Sequence, residues 1–178
     1  RVYVLGMDTL ITNRLDGKDS TNNELTGDYL EQQLLRYGLL AGSQRFQDWG
    51  RNVLAIQQGV TYPDIKYIIC GHYDAATFGF PGADDNASGT AGVLEAARLL
   101  SRYSFDYTIE YILWDGEERG LVGSREYARE ARMRGDSIAG VINLDMIAFD
   151  SDSNSRTTLQ YNLPIGEPLV AAMQSINT

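Results

Sequence analysis

Three apolar runs in this chain, Ile65–Cys70, Tyr107–Trp114 and Ile138–Leu144, each stop on ionisable residues. The first leads into Gly71-His72-Tyr73-Asp74, the second into Asp115-Gly116-Glu117-Glu118 and the third into Asp145. Helical patterns lie between them. A loop dense in Gly, Pro, Asp and Asn, Phe78–Gly89, opens onto Val93, Ala96, Ala97 and Leu100, which share one helix face, and Leu121–Met133 reads as a helix rich in Arg and Glu. Strands alternating with helices specify an α/β fold, expected as a three-layer αβα sandwich with a mostly parallel mixed central sheet. Ligands of such sheets sit beyond the carboxyl ends of the strands, so the residues that close the three runs are the candidates for chemistry.

The flanking segments follow the same grammar. Leu30, Leu34 and Tyr37 fall on one helix face between the turn-like Thr26-Gly27 and a glycine stop at Gly38. Asn52–Ile56 and Ile65–Cys70, separated by Gly59, Pro63 and Asp64, read as neighbouring strands compatible with a hairpin, while Thr157–Tyr161 and Pro168–Ile176 read as a closing strand and helix. With 178 residues, 43% of them hydrophobic, the chain is expected to be one domain, residues 1–178, with a real core. Its formal charge of -9 and lack of a basic stripe argue against nucleic acid as a partner. No run reaches the roughly 18 apolar residues of a bilayer crossing. The single cysteine, Cys70, excludes an internal disulfide. A start at Arg1 suggests a processed or excised piece of a longer product.

So many carboxylates at one sheet edge repel one another and lose hydration unless cations neutralise them, and carboxylates with one imidazole suit divalent metals. A metal pair about 3.5–4 Å apart can share a carboxylate, hold a hydroxide nucleophile and polarise a carbonyl, which is amide-hydrolysis chemistry. In isolation Glu117-Glu118 reads as a solvated acidic turn before a helix, Asp84-Asp85 as a helix cap, and a lone histidine as a hydrogen-bonded structural residue. Two features shift the balance. Asp74, two residues after His72, can accept from the second ring nitrogen and orient a metal-bound imidazole. Asp145, directly after an apolar strand, is expected to be partly buried and in need of a partner. Cys70 shares the parity of His72 but reads as a small buried hydrophobe.

Four segments carry a family resemblance: GHYDA (71–75), PGADDNASGTAGVLEAARLL (81–100), WDGEERGLVGS (114–124) and INLDM (142–146). In order and spacing they resemble the co-catalytic zinc aminopeptidases, a family that includes secreted bacterial leucyl-type aminopeptidases, glutamate carboxypeptidase II, glutaminyl cyclase and the protease-like domain of transferrin receptor. The resemblance runs from about Thr12 to Met146. It implies an exopeptidase that hydrolyses N-terminal peptide bonds through a metal-bridging hydroxide, acts on peptides with a free N-terminus and works outside the cytoplasm. Asp85 then resembles the carboxylate bridging two zincs, His72 and Asp145 complete one site, and Glu118 resembles a ligand of the other. Glu117 resembles the general base, Asp74 the partner of the histidine ligand, and the Asp85–Asn86 peptide is expected to be cis.

The chain departs from this family in one respect: the second zinc needs a histidine far downstream, and only His72 is present. The expectation is therefore a chain that resembles the N-terminal two thirds of such a domain, binds at most one zinc, has little activity alone and exposes apolar surface prone to self-association. A non-catalytic interaction domain on the same fold and a single-zinc acyltransferase of glutaminyl cyclase type are the alternatives. Ser88 as a serine nucleophile lacks the G-x-S-x-G elbow. A calcium loop from Asp150 lacks its glycine and closing glutamate. Asn86-Ala87-Ser88 is formally a glycosylation acceptor.

Overall fold

A computed structural model describes residues 20–76 and 82–150, and beyond them only the single positions 153, 158, 160 and 171. The strand and helix expected at 157–161 and 168–176 lie outside the two described stretches, as does the start of the loop, 78–81. The elements run α1 (Ser20–Arg36), β1 (Leu40–Phe46), β2 (Gly50–Gln57), β3 (Tyr62–His72), α2 (Gly89–Leu100), β4 (Tyr107–Trp114), α3 (Val122–Arg134) and β5 (Ser137–Asn143). All lie in the first of two compact units, Arg1–Ala148 and Phe149–Thr178.

The five described strands form one mixed sheet in the order β1-β2-β4-β3-β5. β4, β3 and β5 are parallel, while β1 and β2 extend the sheet antiparallel from β4, so the described sheet is mixed, as expected. Asn52–Ile56 and Ile65–Cys70 are not neighbours, because β4 lies between them and takes the hydrogen bonds of both. The hairpin is instead made by β2 with β1, a strand that sequence reading passes over. Leu40–Phe46 carries Gly42, Ser43 and Gln44, leaves Leu40 exposed and lacks a clean alternation.

Period-2 alternation in β4 divides the molecule into layers. Ile109, Tyr111 and Leu113 face a core with Leu30 and Leu34 of α1 and Val93, Leu94 and Ala97 of α2. Ile112 and Trp114 face the opposite side, where Ile68, Cys70, Tyr127 and Ala131 of α3 close a second core. That is the αβα sandwich. Under α3 the Lys66 ammonium lies 2.8 Å from Glu110 and 3.1 Å from Asp136, and the Tyr127 hydroxyl donates to Glu110, so the charges buried there are paired.

α1 runs through Thr26-Gly27 instead of starting after it. The reason is tertiary: a Cβ on Gly27 would meet the Arg51 guanidinium at 3.2 Å, and that guanidinium lies across the helix on Glu24, Asp28 and Glu31 at 3.2, 2.6 and 2.7 Å. Glycine here serves close approach rather than a turn.

Apolar content alone misplaces β5. Ile138 and Val141 are 39% and 52% exposed, since β3 covers only one edge of the strand among the described residues. Leu34→Ala should therefore cost about 2–5 kcal/mol in urea unfolding, the range for a fully buried leucine. Val141→Ala should stay within about 0.5 kcal/mol.

Candidate metal centre

Because β4, β3 and β5 are parallel, their carboxyl ends lie side by side. His72 ends β3 opposite Trp114, and Cys70 pairs with Asn143 near the end of β5. Glu117, Glu118 and Asp145 thus emerge at the same sheet edge as the imidazole.

Asp85 arrives from the tight segment Ala83–Ser88, entered through Gly82 in the left-handed region at φ 62° and kinked at Asp85 and Asn86. The Asp85–Asn86 peptide is cis, as the resemblance implied. Asn86, fully buried, stitches this segment to the chain after β5. Its Oδ1 accepts the amides of Gly89 (2.9 Å) and Met146 (3.2 Å), and its Nδ2 donates to the Leu144 carbonyl (2.9 Å). Asp84 accepts the Ala148 amide at 2.9 Å, and Ser88 Oγ accepts that of Ile147 at 3.0 Å. A Cβ on Gly89 would meet the Leu144 carbonyl at 2.2 Å, so only glycine allows the two segments to lie this close. The Ser88 hydroxyl lies 2.7 Å from the Asp84 carbonyl, which takes it out of any triad with His72, and burial of Asn86 removes it as a glycan acceptor.

His72 Nε2 lies 3.1 Å from Asp85 Oδ1 and 3.7 Å from Asp145 Oδ1. Ligand atoms of His72, Asp85 and Glu118 all lie within 4.8 Å of one another. The other ring nitrogen, Nδ1, is 3.1 Å from the Asp74 carbonyl and 3.5 Å from its carboxylate. The backbone oxygen is thus the nearer partner of the ring. β3 has ended, and the buried Asp74 carboxylate turns to accept the amides of Glu117 and Glu118, one on each oxygen at 3.2 Å. Asp74 therefore ties the histidine to the glutamate pair, a role that strand parity does not show. Asp145 is partly buried, with 43% of its side chain exposed, and its partner is the His72 imidazole.

Burial works against a charged imidazole, but the hydrogen bond and charge of Asp74, with Glu117 and Asp145, outweigh it and push His72 up to about 9. Burial also raises the carboxyls of Glu117, Glu118 and Asp145; their acidic neighbours add to this, and His72 pulls the other way. A field that holds a proton on the ring also favours a divalent cation beside it. One imidazole whose Nδ1 is already engaged, with carboxylates converging on Nε2, is a donor set that zinc accepts. Sequence reading missed two residues that shape this edge. Asn86 drew attention as half of the expected cis peptide and as a glycan acceptor but not as a brace, and Asn52 only as the first residue of a strand.

A family model described as Peptidase family M28 matches residues 52–177. A "Probable zinc metalloprotease" of Pyrenophora teres f. teres is 35% identical over 127 residues, covering 66% of this chain and 27% of that protein. Aminopeptidase YwaD of Bacillus subtilis is 37% identical over 102 residues, covering 54% of this chain and 22% of its own length. The chain thus spans less than a third of either relative. Among solved structures, the LapA aminopeptidase of Legionella pneumophila superposes with a TM-score of 0.70 at 24% identity, over 83% of this chain and 43% of its own. A Zn-dependent exopeptidase of Parabacteroides distasonis gives 0.70 at 20%, over 82% and 60%. At these identities the two structures establish the fold.

Cys70 stands apart from this cluster. Its thiol is buried in the second core, 3.5 Å from Asn143 Oδ1, and burial pushes it up to about 11. At pH 8 only about one thiol in a thousand would ionise, so an aromatic disulfide reagent should titrate Cys70 promptly only after unfolding. Fast labelling of the folded chain would contradict this burial.

Proposed function

The chain belongs to peptidase family M28, and from that premise we propose that it carries the metal-binding and proton-transfer residues of a zinc-dependent exopeptidase that removes N-terminal residues from peptides. The observation that carries this reading is the convergence on His72 Nε2 of Asp85 at 3.1 Å and Asp145 at 3.7 Å, with Glu118 inside the same cluster. His72, Asp85, Asp145 and Glu118 would hold zinc. Zinc bound there supplies Lewis acidity toward the scissile carbonyl and toward water.

The chain's own residues handle the proton. Glu117 shares the loop and the Asp74 anchor of Glu118, and burial with its acidic neighbours raises its carboxyl, the direction that strengthens a base. It takes a proton from the attacking water on a carboxylate oxygen and returns it to the nitrogen of the leaving amine. Asp74 keeps the imidazole turned so that Nε2 faces the acidic cluster.

The continuous family match from 52 to 177 supports treating residues 1–178 as one peptidase-like domain. No helix among the described residues is long and apolar enough to cross a membrane. Location outside the cytoplasm rests on the family resemblance, and fractionation tests it. Self-association is supported by the exposed Ile138, Val141 and Ile147 along and after β5, and light scattering tests that.

Activity is tested on the protein that carries this chain. Peptides with a free N-terminus should lose terminal residues, a zinc chelator should abolish turnover, and added zinc should restore it; chelator-insensitive cleavage would sink the proposal. Cyclisation of N-terminal glutamine without residue release would favour the acyltransferase reading instead.

Glu117→Gln should lower turnover by roughly 10²–10⁴-fold with metal retained, whereas Glu118→Gln should weaken metal binding. Equal metal loss in both would reverse the two roles. The 178-residue chain alone, with one histidine, should hold at most one zinc by equilibrium dialysis and elemental analysis.

A further inference from the structure

We propose that Asn52 is a positioning residue for the glutamate pair, its carboxamide clamping the neck of the loop that carries Glu117 and Glu118. The loop leaves β4 at Asp115 and enters α3 at Val122-Gly123. Asn52 is fully buried at the start of β2 and reaches both ends: its Oδ1 accepts the Asp115 amide at 3.0 Å, and its Nδ2 donates to the Gly123 carbonyl at 2.9 Å. Nδ2 also donates to Gln44 Oε1 at 2.8 Å, fixing the amide's orientation from β1.

The surroundings of the neck support the same assignment. The Gly123 amide returns to the Asp115 carbonyl at 3.1 Å and the Val122 amide to Gly116 at 2.9 Å, closing the loop on itself. The Asp115 carboxylate, 1% exposed, accepts Asn23 Nδ2 and the Arg51 amide at 2.8 and 2.9 Å, which anchors the neck to α1 and β2. A Cβ on Gly123 would stand 2.2 Å from Asn52 Oδ1 and 2.3 Å from the Asp115 carbonyl. The neck is therefore built for one carboxamide and one glycine. At the far end Asp74 accepts the Glu117 and Glu118 amides, so the glutamates are stretched between two fixed points. A neutral amide suits this place because it supplies donor and acceptor together without adding charge to an edge already crowded with carboxylates.

This inference rests on reading Glu117 and Glu118 as base and ligand, and its test separates the two claims. Hydrogen exchange of the 178-residue chain is measured for the wild type, Asn52→Asp and Gly123→Ala, with Leu34→Ala as a general destabiliser. Asn52→Asp keeps the acceptor but loses the donor; Gly123→Ala crowds the clamp without touching Asn52. In both, the Glu117 and Glu118 amides should exchange about tenfold faster or more, the effect of losing one or two hydrogen bonds, while amides of β3 and β4 keep their protection. Leu34→Ala should instead accelerate exchange across the core.

Titration with Co²⁺ alone then links the clamp to the site. Both clamp variants should bind about 10–100-fold more weakly than wild type, and Leu34→Ala about as well as wild type. Uniform acceleration of exchange, or Co²⁺ affinity unchanged in the clamp variants, overturns the proposal. So does failure of both variants to fold, which would make the clamp a requirement of the fold and not of the site. A wild-type chain that binds no Co²⁺ refutes the metal-site reading, and the exchange result alone then decides the clamp.

Discussion

The side-chain amide of Asn86 holds together the two segments that deliver Asp85 and Asp145, and the acidic edge depends on that bridge. Residues 84–89 and 144–148 follow different strands, β3 and β5, and each brings carboxylates toward one imidazole. Left to electrostatics they would separate. Three hydrogen bonds from one buried carboxamide, with the Asp84 and Ser88 contacts beside it, oppose that tendency without adding charge. Each is worth only about 0.5–1.5 kcal/mol net, but leaving those buried groups unpaired would cost more. Asparagine recurs at the other side of the edge, where Asn52 spans the neck of the glutamate loop. Neutral amides brace the frame, and the acids are kept for the centre.

Such an edge is a local liability that the rest of the fold must offset. Raised carboxyls on Glu117, Glu118 and Asp145 mean that ionising them in place is unfavourable compared with water. Two apolar cores, one on each face of the sheet, supply the compensating burial. Acidic residues away from the edge are handled differently. Glu24, Asp28 and Glu31 meet Arg51, and Glu110 and Asp136 meet Lys66. Pairing the distant acids while clustering those at the carboxyl ends of β3, β4 and β5 concentrates negative potential where a cation would bind.

Periodicity made much of this architecture legible. Tyr107–Trp114 is a strand at the bounds its composition indicates, and α2 and α3 fall where their apolar and charged faces place them, because local pattern and tertiary demand agree there. The chemistry at the strand ends was legible for a related reason: polar residues that interrupt buried apolar runs have few structural explanations. What escaped was set by partners distant in sequence. β1 is the outermost strand among the described residues and has little apolar signal; Gly27 looks like a turn until Arg51 lies across it; β2 and β3 look adjacent until β4 inserts between them.

Asp74 shows most clearly where the logic of pattern ends and that of geometry begins. Spacing correctly pointed to a link between His72 and Asp74, but parity holds only while the strand continues, and β3 stops at His72. Beyond that point the chain turns, the nearest acceptor for Nδ1 becomes the Asp74 carbonyl, and the carboxylate is freed to take two backbone amides of the next strand's loop. One residue then couples three functional groups through a backbone contact and two charge-assisted hydrogen bonds. The same change explains why the neighbouring Tyr73 faces the interior: its amide continues the β4 ladder by bonding the Trp114 carbonyl, and its hydroxyl reaches the Arg51 carbonyl of β2. The end of β3 is thereby pinned to both strands that frame the glutamate loop, so the histidine and the glutamates are held by one continuous hydrogen-bonded frame rather than by independent loops.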